Sequence, residues 1–120
     1  MKIAIVGSRN ITICNIGEYV SEGDEIVSGG AEGVDRCAAE YANKHSLKLT
    51  EFLPQYNLYG HAAPIVRNKQ RVDHADKVVA FWDGKSKGTL SVIKYAQKRA
   101  RAVRWFFVNR DVITQTNWGL

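Results

Sequence analysis

Five short apolar runs, each separated from the next by a stretch of helical period, restrict what this chain can fold into more than any other feature. The runs are 2–6 (KIAIV), 25–28 (EIVS), 48–53 (KLTEFL), 77–82 (KVVAFW) and 103–108 (VRWFFV). They have strand length and are rich in β-branched and aromatic residues. Helix-like segments lie near 11–21, 32–46, 61–74 and 87–101. In the second of these Val34, Cys37, Ala38, Tyr41 and Ala42 recur at helical spacing, and in the fourth Leu90, Ile93, Tyr95, Ala96 and Ala100 form a broad apolar face. Strict alternation of strand and helix calls for right-handed crossovers between parallel strands, with helices on both faces. The expectation is an α/β fold, Rossmann-like and three-layered, on a mostly parallel five-stranded sheet of order 3-2-1-4-5. That order sets the first strand beside the fourth, a topological switch point at which ligands collect outside the carboxyl ends of the strands.

With 120 residues, 45% of them hydrophobic, the chain suits one domain over 1–110 with 111–120 as a C-terminal tail. No apolar run approaches the roughly 20 residues that span a bilayer, so no membrane partner is expected. The N-terminus has neither the longer apolar stretch nor the cleavage pattern of a secretory signal. The two cysteines, Cys14 and Cys37, form no C-x-x-C pair and are too few for a disulfide framework, which points to a cytoplasmic chain with both thiols buried or idle. Small domains of this kind often pair through helices, and a homo-oligomer is entertained on that ground.

Charge is uneven along the chain. Residues 1–60 carry five Lys/Arg against eight Asp/Glu, net −3, and residues 61–120 carry twelve against four, net +8. Local positive charge concentrates phosphate-bearing partners, whether free nucleotides or nucleic acid.

Each predicted strand end at the ligand edge carries glycine or small polar residues. Gly7-Ser8-Arg9 follows the first strand, Ser28-Gly29-Gly30-Ala31-Glu32-Gly33-Val34-Asp35 continues the second, and Asp83-Gly84-Lys85-Ser86-Lys87-Gly88-Thr89 follows the fourth. Glycine lets the backbone approach a ligand closely, and a helix that starts there points N–H groups at an anion. A strand-to-helix turn explains any one of these loops equally well, but three converging on one edge favour a phosphate. Ser8, Ser28, Ser86 and Thr89 offer hydroxyl donors, and Arg9 and Lys87 offer charge. No Walker-type or dinucleotide fingerprint is present, which argues against ordinary ATP hydrolysis. Asp35 suits the first turn of a helix, and that structural role is preferred. Asp83 suits either a turn or the ligand. A carboxylate beside a phosphate repels it unless it holds a metal or a ribose hydroxyl, so Mg2+ is kept as a candidate cofactor. Arg67 and Asn68 fall in a polar stretch, RNKQR, whose spacing alone reads as a solvated helix face. His45, His61 and His74 lack metal-binding spacing.

In this order and spacing, Gly7-Ser8-Arg9, Ser28-Gly29-Gly30-Ala31-x-Gly33-Val34-Asp35, Arg67-Asn68 and Asp83-Gly84-x-Ser86-x-Gly88-Thr89 resemble the SLOG superfamily over residues 1–105. That group joins the SMF/DprA and Lonely Guy families, and the small stand-alone YspA-like branch is the most similar. The resemblance implies a Rossmann-like fold whose strand-end loops bind nucleotides or nucleotide-derived ligands. It also raises Arg67 and Asn68 to pocket residues, since a matching pair lines the pocket of DprA-like relatives. The phosphoribohydrolases of the Lonely Guy branch carry P-G-G-x-G-T-x-x-E, whose glutamate takes part in the chemistry. Here Val92 stands in its place and can neither move a proton nor stabilise an oxocarbenium-like centre.

Three functions follow as expectations. The first is a binding module, acting as a sensor or processing unit, that holds a nucleotide or nucleotide-derived ligand with Gly7, Ser8, Arg9, Ser28, Gly29, Gly30, Arg67, Asn68, Asp83, Ser86, Gly88 and Thr89. The second is a hydrolase that cleaves such a ligand in the manner of a phosphoribohydrolase, with Asp83, Arg67 and Asp35 as candidate catalytic residues. The third is a DprA-like single-stranded DNA binder using Lys94, Lys98, Arg99, Arg101 and Arg104 with Trp105, Phe106 and Phe107. For the last group a core role of the aromatics is preferred.

Overall fold

The computed structural model describes residues 1–12, 15–109 and 112–119. Six strands form one sheet, β1 (Lys2–Gly7), β2 (Glu25–Ser28), β3 (Lys48–Glu51), β4 (Lys77–Trp82), β5 (Ala102–Asn109) and β6 (Val112–Gly119), in the order β3-β2-β1-β4-β5-β6. The helices are α1 (Val34–Lys44), the single turn α2 (Tyr56–Tyr59), α3 (Ala63–His74) and α4 (Lys87–Lys98). The first five strands pair in parallel, and β1 lies against both β2 and β4, as the predicted order requires.

Successive residues of a strand point to opposite faces, and β1 feeds a core on each side. Ile3 and Ile5 pack with Ile26, Val79, Phe81 and Phe106 under Val34, Ala38 and Ala42 of α1. Ala4 and Val6 pack with Val27, Val78, Ala80 and Val103 under Val72 of α3 and Val92, Ile93 and Ala96 of α4. Burial on both faces explains why these runs are continuous rather than alternating in hydrophobicity.

The sheet departs from expectation at its C-terminal edge, where six strands replace five. Residues 112–119 are not a tail but β6, antiparallel to β5, with Asn109 opposite Val112 and Val103 opposite Gly119 and a register shift at Phe107/Val108. An eight-residue β5 paired only with β4 would leave a row of open backbone groups, and β6 covers them. Of the helix predicted over 11–21, the described residues show a 3-10 turn at Ile16–Glu18. Ile11, Ile16 and Val20 are buried all the same, so their spacing reports contact with the core and not helical period. Ile13 and Cys14 lie outside the described residues. The helix expected from residue 61 starts at Ala63, after α2 and a 3-10 turn at Gly60–Ala62. Cys37 is disulfide-bonded, against the expectation of a buried or idle thiol.

At the end of the sheet opposite the strand-end loops, Glu25 accepts hydrogen bonds from Thr50 Oγ1 (2.9 Å) and His74 Nε2 (2.6 Å) and pairs with Lys48 Nζ at 3.4 Å. Burial raises its carboxyl, but bonds from His74, Thr50 and Lys48 outweigh burial and hold it at about 2 rather than 4.5. A carboxylate with a depressed folded value contributes stability above its unfolded value and loses it as the pH falls. The contribution is therefore complete above about 4.5 and gone below about 2. Glu25→Gln should unfold at lower urea than wild type at pH 7, and the two midpoints should converge as the pH approaches 2.

Candidate functional site

At the carboxyl edge, the loops after β1 and β4, the start of α1 and one face of α3 enclose a cleft of about 420 Å3. Gly7, Ser8 and Arg9 reach it from β1, Asp35 from α1, Arg67, Asn68 and Arg71 from α3, and Asp83, Ser86, Gly88 and Thr89 from the β4–α4 loop. The β1 and β4 loops meet because their strands are hydrogen-bonded neighbours. Ser8 N–H donates to the carbonyl of Phe81 (3.1 Å), and Asp83 N–H donates to Ser8 Oγ (3.3 Å). Gly7 is required for that approach, because a Cβ there would strike the side chain of Val34 and stand 3.0 Å from the Phe81 carbonyl.

The α4 end of the cleft is a cluster of hydroxyls. Ser86 caps the helix, its Oγ accepting from the N–H of Thr89 at 3.2 Å. Ser86 Oγ also donates to Thr89 Oγ1 (3.2 Å), which lies 3.5 Å from Ser8 Oγ. Asp83 Oδ1 accepts from the N–H groups of Lys85 and Ser86, both at 2.8 Å. Burial raises the Asp83 carboxyl, but these two backbone bonds, with Ser8 and Asn10, hold it below its ordinary value. Asp83 is an ionised acceptor and not a proton donor.

The α3 end holds two buried guanidiniums. Arg71 Nη1 contacts both Asp35 oxygens, at 3.1 and 3.2 Å, and Asp35 Oδ2 also accepts from the N–H of Ala31 at 3.2 Å. Arg67 Nη1 donates to the Gly29 carbonyl (2.5 Å) and its Nε to Asn68 Oδ1 (2.9 Å). Arg67 is only 6% exposed and forms no ion pair among the described residues. Burial, and then the neighbouring Arg71, lower its pKa, with Asp35 pulling the other way. Arg71 Nε has no hydrogen-bond partner among the described residues. The cleft floor is thus cationic, and one of its cations lacks a carboxylate of its own.

The structure gathers most of the predicted site residues but places four of them outside the cleft lining. Ser28 is fully buried and donates to the backbone carbonyl of Asp35 at 3.2 Å, tying β2 to α1. Gly29 lies under the arginines, where a Cβ would stand 2.8 Å from Arg67 Nη1. Gly30 turns the other way, with positive φ (72°) and its Cβ position occupied by the side chain of Leu53, so it shapes a turn and does not face the cleft. Lys87 is exposed and does not line the cleft.

Arg67 is a correction to the reading from spacing alone, since it is buried and not on a solvated face. Arg71 was missed as a site residue. Pro64, Arg67, Asn68 and Arg71 recur at intervals of three and four and so share one helix face. Counting period among polar residues, as is done for apolar ones, puts Arg71 on the same face as Arg67 and Asn68.

The aromatic and basic cluster near β5 is packed in part, while Lys94, Lys98 and Arg99 are exposed. Phe106 is buried and stacks on Phe81 (5.2 Å between ring centres), and the Arg104 guanidinium lies 5.0 Å from the Phe106 ring and 5.3 Å from that of Tyr19. Arg101 donates to the carbonyls of Ala75 (2.9 Å) and Asp73 (3.1 Å), and Arg99 pairs with Asp73. No group of three His, Cys, Asp or Glu among the described residues is arranged to hold a metal ion. With Asp35 engaged by Arg71, Asp83 is, among the described residues, the one cleft carboxylate without an arginine partner, a poor donor set for Mg2+. No described helix is long and apolar enough to cross a membrane.

Comparison with protein-family models, curated proteins and solved structures finds no match to this chain.

Proposed function

We propose that this cleft binds the phosphate of a nucleotide or nucleotide-derived ligand, which makes the protein a sensor or processing module of the kind the SLOG resemblance implies. The observation that carries the reading is Arg67, a buried cation whose hydrogen-bond partners among the described residues are a backbone carbonyl and an amide oxygen. A desolvated charge is costly unless an opposite charge meets it, and a phosphate entering beside Arg67 supplies one. Arg9 at the rim, the unbonded Nε of Arg71 and the first turn of α4 add donors around the same space.

Isothermal titration with nucleoside mono-, di- and triphosphates tests the proposal. Arg67→Met, which keeps most of the side-chain volume, should weaken binding by about 1.5–3 kcal/mol, the scale of a charged hydrogen bond. Arg9→Ala should fall toward the low end of that range, because Arg9 is exposed and screened by water. If no nucleotide or nucleotide conjugate binds wild type, or if Arg67→Met binds as well as wild type, the assignment is wrong. Chromatography of the nucleotides after long incubation separates binding from cleavage. For cleavage Asp35 is a weak candidate, since both its oxygens are already bonded.

A further inference from the structure

Residues 52–66 are the longest stretch of the chain without Lys, Arg, Asp or Glu, although such residues make up 24% of it. An uncharged stretch of this length is expected in the core, yet this one lies on the surface. Every residue from Gln55 to Ala62 is exposed, and neither α2 nor the 3-10 turn after it buries a single residue. Among the described residues, most of the exposed large hydrophobics fall here: Leu53 (57% exposed), Tyr56 (59%), Leu58 (63%), Tyr59 (42%) and Ile65 (54%). Both turns lie against α3, which carries Ile65. Single apolar side chains on a surface are ordinary, but a helical turn of sequence YNLY that adds nothing to its own core is not.

Exposed tyrosines with Lys, Asp and Glu absent are the composition of an interface core, and charge indicates what covers it. The chain carries a net +5, so two copies repel each other unless they meet where charge is absent. In a two-fold contact each residue near the axis faces its own counterpart, and a Lys or Glu there would meet its like. Residues 52–66 are free of that penalty over their whole length. The five exposed side chains offer on the order of 500 Å2, so a pair of copies would bury about 1,000 Å2, the size a specific interface has to reach.

We propose that this patch is the contact between two copies of the chain, a two-fold dimer centred on α2. The surface is separate from the hydroxyl cluster and the buried arginines of the cleft, and the proposal does not depend on what the cleft binds.

Sedimentation velocity on wild type from about 1 to about 100 µM tests it and should show a monomer–dimer equilibrium. Leu58→Glu places two like charges at the centre of the contact and should raise the dissociation constant about tenfold or more. Leu58 is exposed, so the far-UV circular dichroism of the variant should match wild type. Leu58→Lys should dissociate in the same way, and an equimolar mixture of the two variants should associate more tightly than either alone, because opposite charges then face each other. Ile65→Glu, also at an exposed position, takes their place if the Leu58 variants fail to fold. Val112→Glu changes an exposed apolar residue at the start of β6 and should leave association as it is in wild type. A wild type that stays monomeric throughout, a Leu58→Glu that associates as wild type does, a mixture no tighter than its components, or an equal loss in Val112→Glu would each overturn the proposal. None of these outcomes bears on the nucleotide reading, which the titrations above decide.

Discussion

Asp35→Ala should lower the free energy of unfolding by about 3–5 kcal/mol, the cost of leaving one half of a buried ion pair alone. The Asp35 and Arg71 side chains are 3% and 5% exposed and 3.1 Å apart. Arg71 Nε already lacks a partner among the described residues, so none of them is in place to take over the charge. Urea denaturation at neutral pH measures the loss. Arg71→Met added to Asp35→Ala should recover a good part of it, since the surviving charge is then gone. Phosphate affinity should move in the opposite direction and rise in Asp35→Ala, because the carboxylate no longer competes for Arg71. A loss of both stability and phosphate affinity would show that Asp35 serves the ligand directly.

Val92→Glu should destabilise the fold by a comparable amount, about 3–5 kcal/mol, and confer no hydrolysis of nucleoside monophosphates. Val92 occupies the position of the Lonely Guy glutamate in sequence, yet its side chain is 1% exposed and packs among Val72, Val78, Ile93 and Ala96 beneath α4. A carboxylate there meets no counter-charge and no cleft among the described residues, so the site that chemistry needs is not one substitution away. Thermal denaturation and nucleotide chromatography on the same preparation check both halves. A folded variant that hydrolyses nucleoside monophosphates would refute the placement of this residue.

The parallel core was legible because both faces of the sheet are covered, which forces whole runs such as Ile3–Val6 to be apolar and marks them plainly. The β1–β4 adjacency, expected because it makes a topological switch point, brought Ser8 to Asp83 and Thr89. The edges were harder to read. β6 mixes polar residues with Val112 and Ile113, so pairing to β5 decides its conformation more than its own composition does. Residues 11–21 show apolar spacing near a helical period, but Gly17 sits close under Tyr41 of α1. A Cβ on Gly17 would stand 3.1 Å from the Tyr41 hydroxyl, a contact settled by α1 and invisible locally. Arg67 and Arg71 were hidden for a different reason. Polar residues on a helix usually mean water, and only the tertiary fold reveals that this face turns inward over Gly29.

The walls of the cleft come from four separated stretches of chain, near residues 7–10, 31–35, 64–71 and 83–89. They are distant in sequence and are brought together by the sheet, in which β1 lies between β2 and β4. Occupancy of the cleft is therefore coupled to the whole folding equilibrium and not to the ordering of a single loop. A ligand that binds only the assembled form adds RT ln(1 + [L]/Kd) to stability, about 2.7 kcal/mol at a hundredfold excess over Kd. A shift in melting temperature consequently serves as a general readout for any compound this protein accepts, with no need to know in advance whether it is cleaved.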